Sequence, residues 1–294
     1  MHFLNVGIVI GIDDTYNNND YKKLFKDIHK FYSRYGINID VIETEKISIP
    51  AKELEKDSTQ VIKYVQHRAF DWIYSGIYDN DPLNKYDLLI YSCLYKSSNT
   101  RKAVAVTQRY GKGAICVNNM FGITNYIKKL ILLTHETGHG LGAHHTNEKV
   151  LNKRTIMDPS IYYYYIFYNN VEDLYLSNDF FIDIFNRLEK ENILKPKLTI
   201  NDNYIIEIKN HSEMTYEFNS NFEIEDLFVY FSPYKLDKYI NPSLIKYLRN
   251  KKTFVRDSKL IMFHHKQNVK KLGVYSYMAK TINGFTNPIQ IIVT

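Results

Sequence analysis

The chain has 294 residues, 45% of them hydrophobic, which is enough for a sizeable core and for two modest domains or one large one. Its 38 Lys and Arg and 32 Asp and Glu leave a net charge of +6, but the excess is scattered, densest at Lys251–Lys252 and Lys270–Lys271, which argues for a solvated surface and against nucleic-acid or anionic-membrane binding. No run reaches the ~18 apolar residues of a membrane helix. The two cysteines, Cys93 and Cys116, are few for an extracellular enzyme of this size, so composition leans towards a reducing compartment.

Leu4–Ile12 reads as a buried first strand rather than a signal peptide, because no Lys or Arg precedes it and no small-residue cleavage site follows. Asp20–Tyr35 carries apolar residues at helical spacing, and Ile37–Glu43 alternates as a strand. Leu54–Ile73 is expected as a second amphipathic helix, and Tyr86–Cys93 as a strand buried on both faces. Lys102–Thr107 and Ala114–Val117 are short strands around Gly111 and Gly113, which suit a hairpin turn or a close backbone approach equally well. Cys93 and Cys116 fall in neighbouring strands; free thiols are favoured over a disulfide. Asn125–Leu141 is a helix ended by Gly142, and Leu176–Leu194 another. This alternation implies an α/β layer, a mixed twisted sheet with helices, over residues 1–194. Between the helices, Ile161–Tyr168 (IYYYYIFY) reads as packing and pocket wall.

Beyond Leu194-Lys195-Pro196 helical spacing gives way to short alternating stretches: Leu198–Lys209, Thr215–Phe222, Leu227–Phe231, Lys259–Phe263, Gly273–Thr281 and Pro288–Val293. They predict a small all-β sandwich over 198–294, with a hairpin turn at Asn283-Gly284.

The chemistry concentrates in THETGHGLGAHH, Thr134–His145. His135 and His139, four apart on a helix, present both imidazoles on one face, where two nitrogens can reach a single Zn²⁺. Glu136 is offset from that pair but near enough to reach a water on the metal and act as general acid/base. A catalytic zinc site needs a third protein ligand, so the helix must end and the chain must turn back. Gly142 suits that end, because helices commonly stop at a glycine in the left-handed conformation. His145, three residues on, is the expected third ligand. Adjacent residues of extended chain point opposite ways, which leaves His144 at the surface or behind the metal. Gly138 and Gly140 each cost roughly 1 kcal/mol inside a helix, so a close approach of another segment or of substrate is expected there. His264 and His265 read as surface residues.

HETGHGLGAHH fits HExxHxxGxxH, the signature of the metzincin zinc proteases, in which a Met-turn follows. Met157 in TIMDPS stands where that turn belongs; in the family the methionine is an apolar floor beneath the metal, not a ligand. The chain is most similar to adamalysin (reprolysin, ADAM-type) catalytic domains, over roughly residues 3–192, with GKGAICVNN before the helix and Pro159 after the Met-turn. It departs from them at Thr146, where adamalysins carry Asp, and in lacking most of their disulfides. Pro159, rather than Tyr, two residues after Met157 disfavours astacins; a pappalysin-like reading is the lesser alternative.

The resemblance implies a metalloendopeptidase with one catalytic zinc ion and a protein or peptide substrate. Substrate would lie extended on an edge strand within Lys102–Val117, with Gly111 and Gly113 near its backbone. A side-chain pocket would be walled by Asp158–Ile161, Pro159 and Ile161 included. LGVYSYMAKTINGF resembles the late strands of an immunoglobulin-like domain, with Tyr275 as the corner tyrosine and Tyr277 at the usual second cysteine. The core Trp of that fold is missing, the single Trp being Trp72. Such a tail suits a protein partner, and motivates the competing reading of a non-catalytic adhesion or decoy protein with a structural zinc site.

Overall fold

The computed structural model describes residues 2–11, 16–47, 88–92, 105–110, 113–118, 123–168, 173–191, 193–209, 216–232, 246–247, 256–257, 260–263 and 272–294. The expected helix Leu54–Ile73, Cys93, Gly111 and His264–His265 lie outside them.

The first half is a mixed α/β layer. Strand β1 (His2–Gly11) runs parallel to β2 (Ile37–Ile47) and to β3 (Leu88–Ser92). β3 in turn pairs in parallel with β5 (Gly113–Asn118). The remaining strand, β4 (Ala105–Tyr110), pairs antiparallel with β5 and forms the edge of the order β2-β1-β3-β5-β4. Tyr110 pairs with Gly113, so Gly113 belongs to a hairpin.

Helix α1 (Asn18–Ser33) starts at a capping box, in which the Asn17 side chain accepts the Asp20 N–H and Asp20 reaches back to the Asn17 N–H. Tyr21, Leu24, Phe25, Ile28, Phe31 and Tyr32 recur at three- and four-residue spacing and are all buried. That stripe packs beside α2 (Tyr126–Leu141), where Tyr32 Oη donates to Thr134 O at 2.6 Å. α2 is sheltered along most of its length and also packs on β4 and β5. After it come a two-stranded ribbon, β6 (Lys149–Val150) and β7 (Lys153–Arg154), and a 3₁₀ turn at Ile161–Phe167. Helix α3 (Asn178–Lys190) buries Phe180, Phe181, Ile184, Phe185 and Leu188.

The described residues from 198 onward are strands and loops in two sheets. One has the order β13 (Arg256–Asp257), β14 (Leu260–Phe263), β10 (Tyr216–Ser220), β8 (Leu198–Ile200). The other runs β12 (Lys246–Tyr247), β11 (Ile224–Ser232), β15 (Gly273–Thr281), β17 (Ile289–Val293), β9 (Ile205–Ile208), with β16 (Gly284–Phe285) on β15. The single strand expected over Leu198–Lys209 is two, β8 and β9, one in each sheet. Asn201 and Asp202 break it, taking left-handed φ of 46° and 60°. The outer edge of β8 is closed by a side chain: the Asn287 amide accepts the Leu198 N–H at 2.9 Å and donates to Leu198 O at 3.1 Å. Thr281 pairs with Gly284, so the turn of this hairpin is Ile282-Asn283, one residue before the expected Asn283-Gly284, and Gly284, with φ +104°, opens the return strand.

The two halves share one core. Tyr204 stacks against both Phe181 and Phe185 of α3, with ring centroids 5.1 and 5.6 Å away. A Cβ on Gly36 would stand 2.7 Å from Pro288 Cδ, so the chains there touch backbone to ring. α3 therefore has two tasks, one towards the β-rich half and one towards α2. No helix among the described residues is long and apolar enough to cross a membrane.

Candidate metal centre

His135 and His139 lie one turn apart on α2, and His145 follows the loop after it. Their three Nε2 atoms stand 3.1 Å from one another, pair by pair. His135 Nδ1 meets Ile156 O at 2.6 Å, and His139 Nδ1 meets Ala143 O at 2.8 Å. A carbonyl oxygen can only accept, so in both rings the proton is on Nδ1 and the Nε2 lone pair faces the centre. Two bare acceptors at such a distance repel unless a cation lies between them. Nitrogen donors at about 2.0–2.1 Å from a tetrahedral zinc stand roughly 3.3 Å apart, which matches this triangle. The donor set and its carbonyl-fixed tautomers therefore fit zinc.

Burial depresses all three imidazoles below their ordinary value near 6.5. His135, the deepest, is pushed down to about 3 by desolvation first and by neighbouring His139 second. In His139 desolvation outweighs the opposing Ala143 carbonyl. His145 is lowered by desolvation, then by His139. The metal-free site is thus neutral at pH 7, the form a metal needs. Glu136 is buried on the helix directly after His135.

The helix ends as the sequence requires. Gly142 has φ +108° and ψ 4°; its N–H reaches His139 O at 2.9 Å, and the Ala143 N–H reaches Gly138 O at 3.0 Å. A Cβ on Gly142 would lie 2.4 Å from Arg187 Cδ. Arg187 Nη1 donates to Gly140 O at 3.1 Å and to Leu141 O, closing the carbonyl end of α2 with a cation.

Met157 is fully buried, and its turn is wired into the site on both sides. The carbonyl before it, Ile156 O, fixes the His135 ring, and Met157 O accepts the Thr146 N–H at 3.1 Å. Gly138 explains itself here: a Cβ there would stand 2.4 Å from Met157 Sδ and 3.2 Å from Tyr32 Oη. The close approach is by Met157 and Tyr32. The turn is braced by Asp158, buried against Arg154 Nη1 at 2.6 Å and accepting the Ser160 N–H at 2.7 Å.

His144 is turned away from the three-histidine group. Its N–H donates to Asp183 Oδ2 at 2.8 Å and its Nδ1 lies 3.2 Å from the same oxygen. Of the residues expected to wall a substrate pocket, Pro159 is exposed whereas Ile161 is buried in the core, because it heads the 3₁₀ turn and faces inward. Tyr163 and Ile166 on the outer side of that turn are 66% and 67% exposed. Thr146 Oγ1 donates to Asp179 Oδ2 at 2.5 Å. Asp179, Asp183 and Arg187 escape a sequence reading, since charges on an amphipathic helix look like a solvated face; their spacing of four is the signal that could have found them.

No protein-family model matches the chain. Over 203 residues, 69% of this chain, it is 28% identical to GDP-fucose protein O-fucosyltransferase 2 of Plasmodium berghei (strain Anka), and spans 35% of that protein's length. Among solved structures, archaemetzincin from Methanopyrus kandleri superposes with a TM-score of 0.41 at 10% identity, covering 64% of this chain and 96% of that one. Metalloproteinase-II from Bacteroides fragilis does so with a TM-score of 0.39 at 13% identity, covering 63% of this chain and 53% of that one.

Proposed function

We propose that the chain is a zinc metalloendopeptidase of metzincin type, with His135, His139 and His145 as metal ligands and Glu136 as acid/base. The observation that carries this is the triangle of Nε2 atoms 3.1 Å apart, two of them with lone pairs turned inward by backbone carbonyls. Zinc held there supplies Lewis acidity, which acidifies water and polarises a peptide carbonyl. The Glu136 carboxylate takes a proton from the attacking water as its oxygen adds to the carbonyl carbon. It then gives that proton to the departing amine nitrogen as the C–N bond breaks. The Met157 turn holds the His135 tautomer throughout.

Within the metzincins the sequence favours the adamalysin type. Thr146, its main departure, has its hydroxyl engaged by Asp179. β4, the antiparallel edge strand beside α2, supports the reading that an extended peptide binds by adding a strand there. Exposed Pro159, Tyr163 and Ile166 would offer an apolar surface to a substrate side chain.

For residues 198–294 we propose an immunoglobulin-like sandwich and a docking role for a protein partner. The orders β8-β10-β14-β13 and β9-β17-β15-β11-β12, with β9 parallel to β17, support it. Tyr277 on β15 meets Phe218 on β10 with ring centroids 5.2 Å apart, an aromatic pair joining the sheets where a disulfide would stand.

The competing reading, a structural zinc site in a binding protein, calls for four protein donors. Among the described residues the group contains three, and His144 is turned to Asp183. Purified chain is expected to cleave a generic peptide library and to stop on chelation. Glu136→Ala is expected to keep one zinc while losing about 10²–10⁴ in rate. Undiminished cleavage by that variant refutes the assigned mechanism.

A further inference from the structure

One face of α3 grips the loop that delivers the third histidine, at three successive points. Asp179 accepts from Thr146 Oγ1, Asp183 accepts from the His144 N–H, and Arg187 donates to Gly140 O and Leu141 O. Positions 179, 183 and 187 are one turn apart on the same side of the helix, while Phe180, Phe181, Ile184, Phe185 and Leu188 anchor α3 in the core. As α3 advances, its partners run back from 146 to 140, so loop and helix lie antiparallel. His145 sits between two residues that are both tied to α3. Its neighbour Thr146 is held a second time, through its N–H to Met157 O.

We propose that Asp179 and Asp183 are positioning residues for the metal centre, acting through Thr146 and His144 to aim the His145 imidazole at the point shared by His135 and His139. This rests on the three histidines being a metal site. The physical reason is entropic. Two ligands come from a rigid helix, but the third comes from a loop, and ordering each loop residue costs conformational entropy. A loop fixed on both sides of His145 meets that cost on folding rather than on metal binding, so the site is preorganised. α3 is itself held by the shared core through Phe181 and Phe185 against Tyr204, which makes the β-rich half the support of the brace.

The test uses the full chain, stripped of metal and titrated with Co²⁺, whose visible absorption reports ligand number and geometry. Wild type and Lys190→Ala, an exposed α3 control, are expected to bind one ion equally. Asp179→Ala and Asp183→Ala are expected to lose about 10–100-fold in affinity, with weakened or shifted absorption bands. Asp183→Asn, which keeps an acceptor for the His144 N–H, restores most of the affinity and the wild-type spectrum. Thr146→Val, which deletes the Asp179 bond from the loop side together with the Glu148 N–H bond to the same hydroxyl, loses at least as much as Asp179→Ala. Affinities within twofold of wild type and an unchanged spectrum in both alanine variants overturn the proposal. So does wild-type binding by Thr146→Val beside a loss in Asp179→Ala, because α3 would then act on folding alone. A wild-type chain that takes up no Co²⁺ refutes the metal-centre reading itself, a distinct outcome.

Discussion

Gly142 and Gly284 share almost the same backbone torsion, φ +108° and +104°, but differ in what surrounds them. A Cβ on Gly142 would meet Arg187 Cδ at 2.4 Å, whereas nothing lies within 4 Å of one on Gly284. Replacing each by alanine separates two costs that usually arrive together. The left-handed backbone costs a non-glycine residue about 1–2 kcal/mol at either site. At Gly142 overpacking adds about 1–3 kcal/mol, part of it by pushing Arg187 off the Gly140 and Leu141 carbonyls. Gly142→Ala should therefore lose about 2–5 kcal/mol and Gly284→Ala about 1–2 kcal/mol. Urea unfolding of the metal-free protein measures both; with an m-value of about 3 kcal/mol/M the two midpoints should differ by roughly 0.3–1 M. Zinc affinity should fall in Gly142→Ala alone, because that glycine turns the chain towards His145. Equal losses of stability, or unchanged zinc affinity in Gly142→Ala, would refute the packing of Arg187 on the helix end and its place in the site.

Tyr32→Phe removes the buried 2.6 Å bond from α1 to Thr134 O in α2; a loss of about 1–2 kcal/mol is expected, seen as a melting temperature lower by roughly 1.5–3 °C, and no drop would mean that the bond is not made. The metal-free protein should lose stability as the pH falls from about 6.5 towards 3. Over that window the unfolded chain protonates His135 while the folded chain, with this imidazole held down near 3, does not, so acid favours unfolding. Urea midpoints at pH 7 and pH 5 check the sign, and a higher midpoint at pH 5 contradicts it.

The grouping of the three histidines was largely legible in the sequence because its parts are local. HExxH sets two imidazoles on one helix face, and Gly142 stops the helix where a third can return. Periodicity located α1, α2, α3 and β15 within a few residues, since each buries one clear stripe or alternates cleanly. What escaped depends on partners distant in sequence. Nothing near Asp183 announces His144, and nothing near Gly138 announces Met157; both contacts exist only once α3 and the Met-turn have packed on α2. The Leu198–Lys209 stretch misled for a local reason: its alternation resumes in phase after Asp202, but Asn201 and Asp202 both turn left-handed and send the chain into the second sheet. IYYYYIFY lacks a clear period and coils into a 3₁₀ turn that buries Ile161 and Tyr168 and exposes Tyr163 and Ile166.

The convergence of three imidazoles on one ion is tested most directly by zinc-edge X-ray absorption on the chain loaded with one equivalent of metal. Three imidazole nitrogens at about 2.0–2.1 Å and one further light atom are expected, with an imidazole lost in His145→Ala. A sulfur donor, fewer than three imidazoles, or a spectrum that His145→Ala leaves unchanged would contradict it.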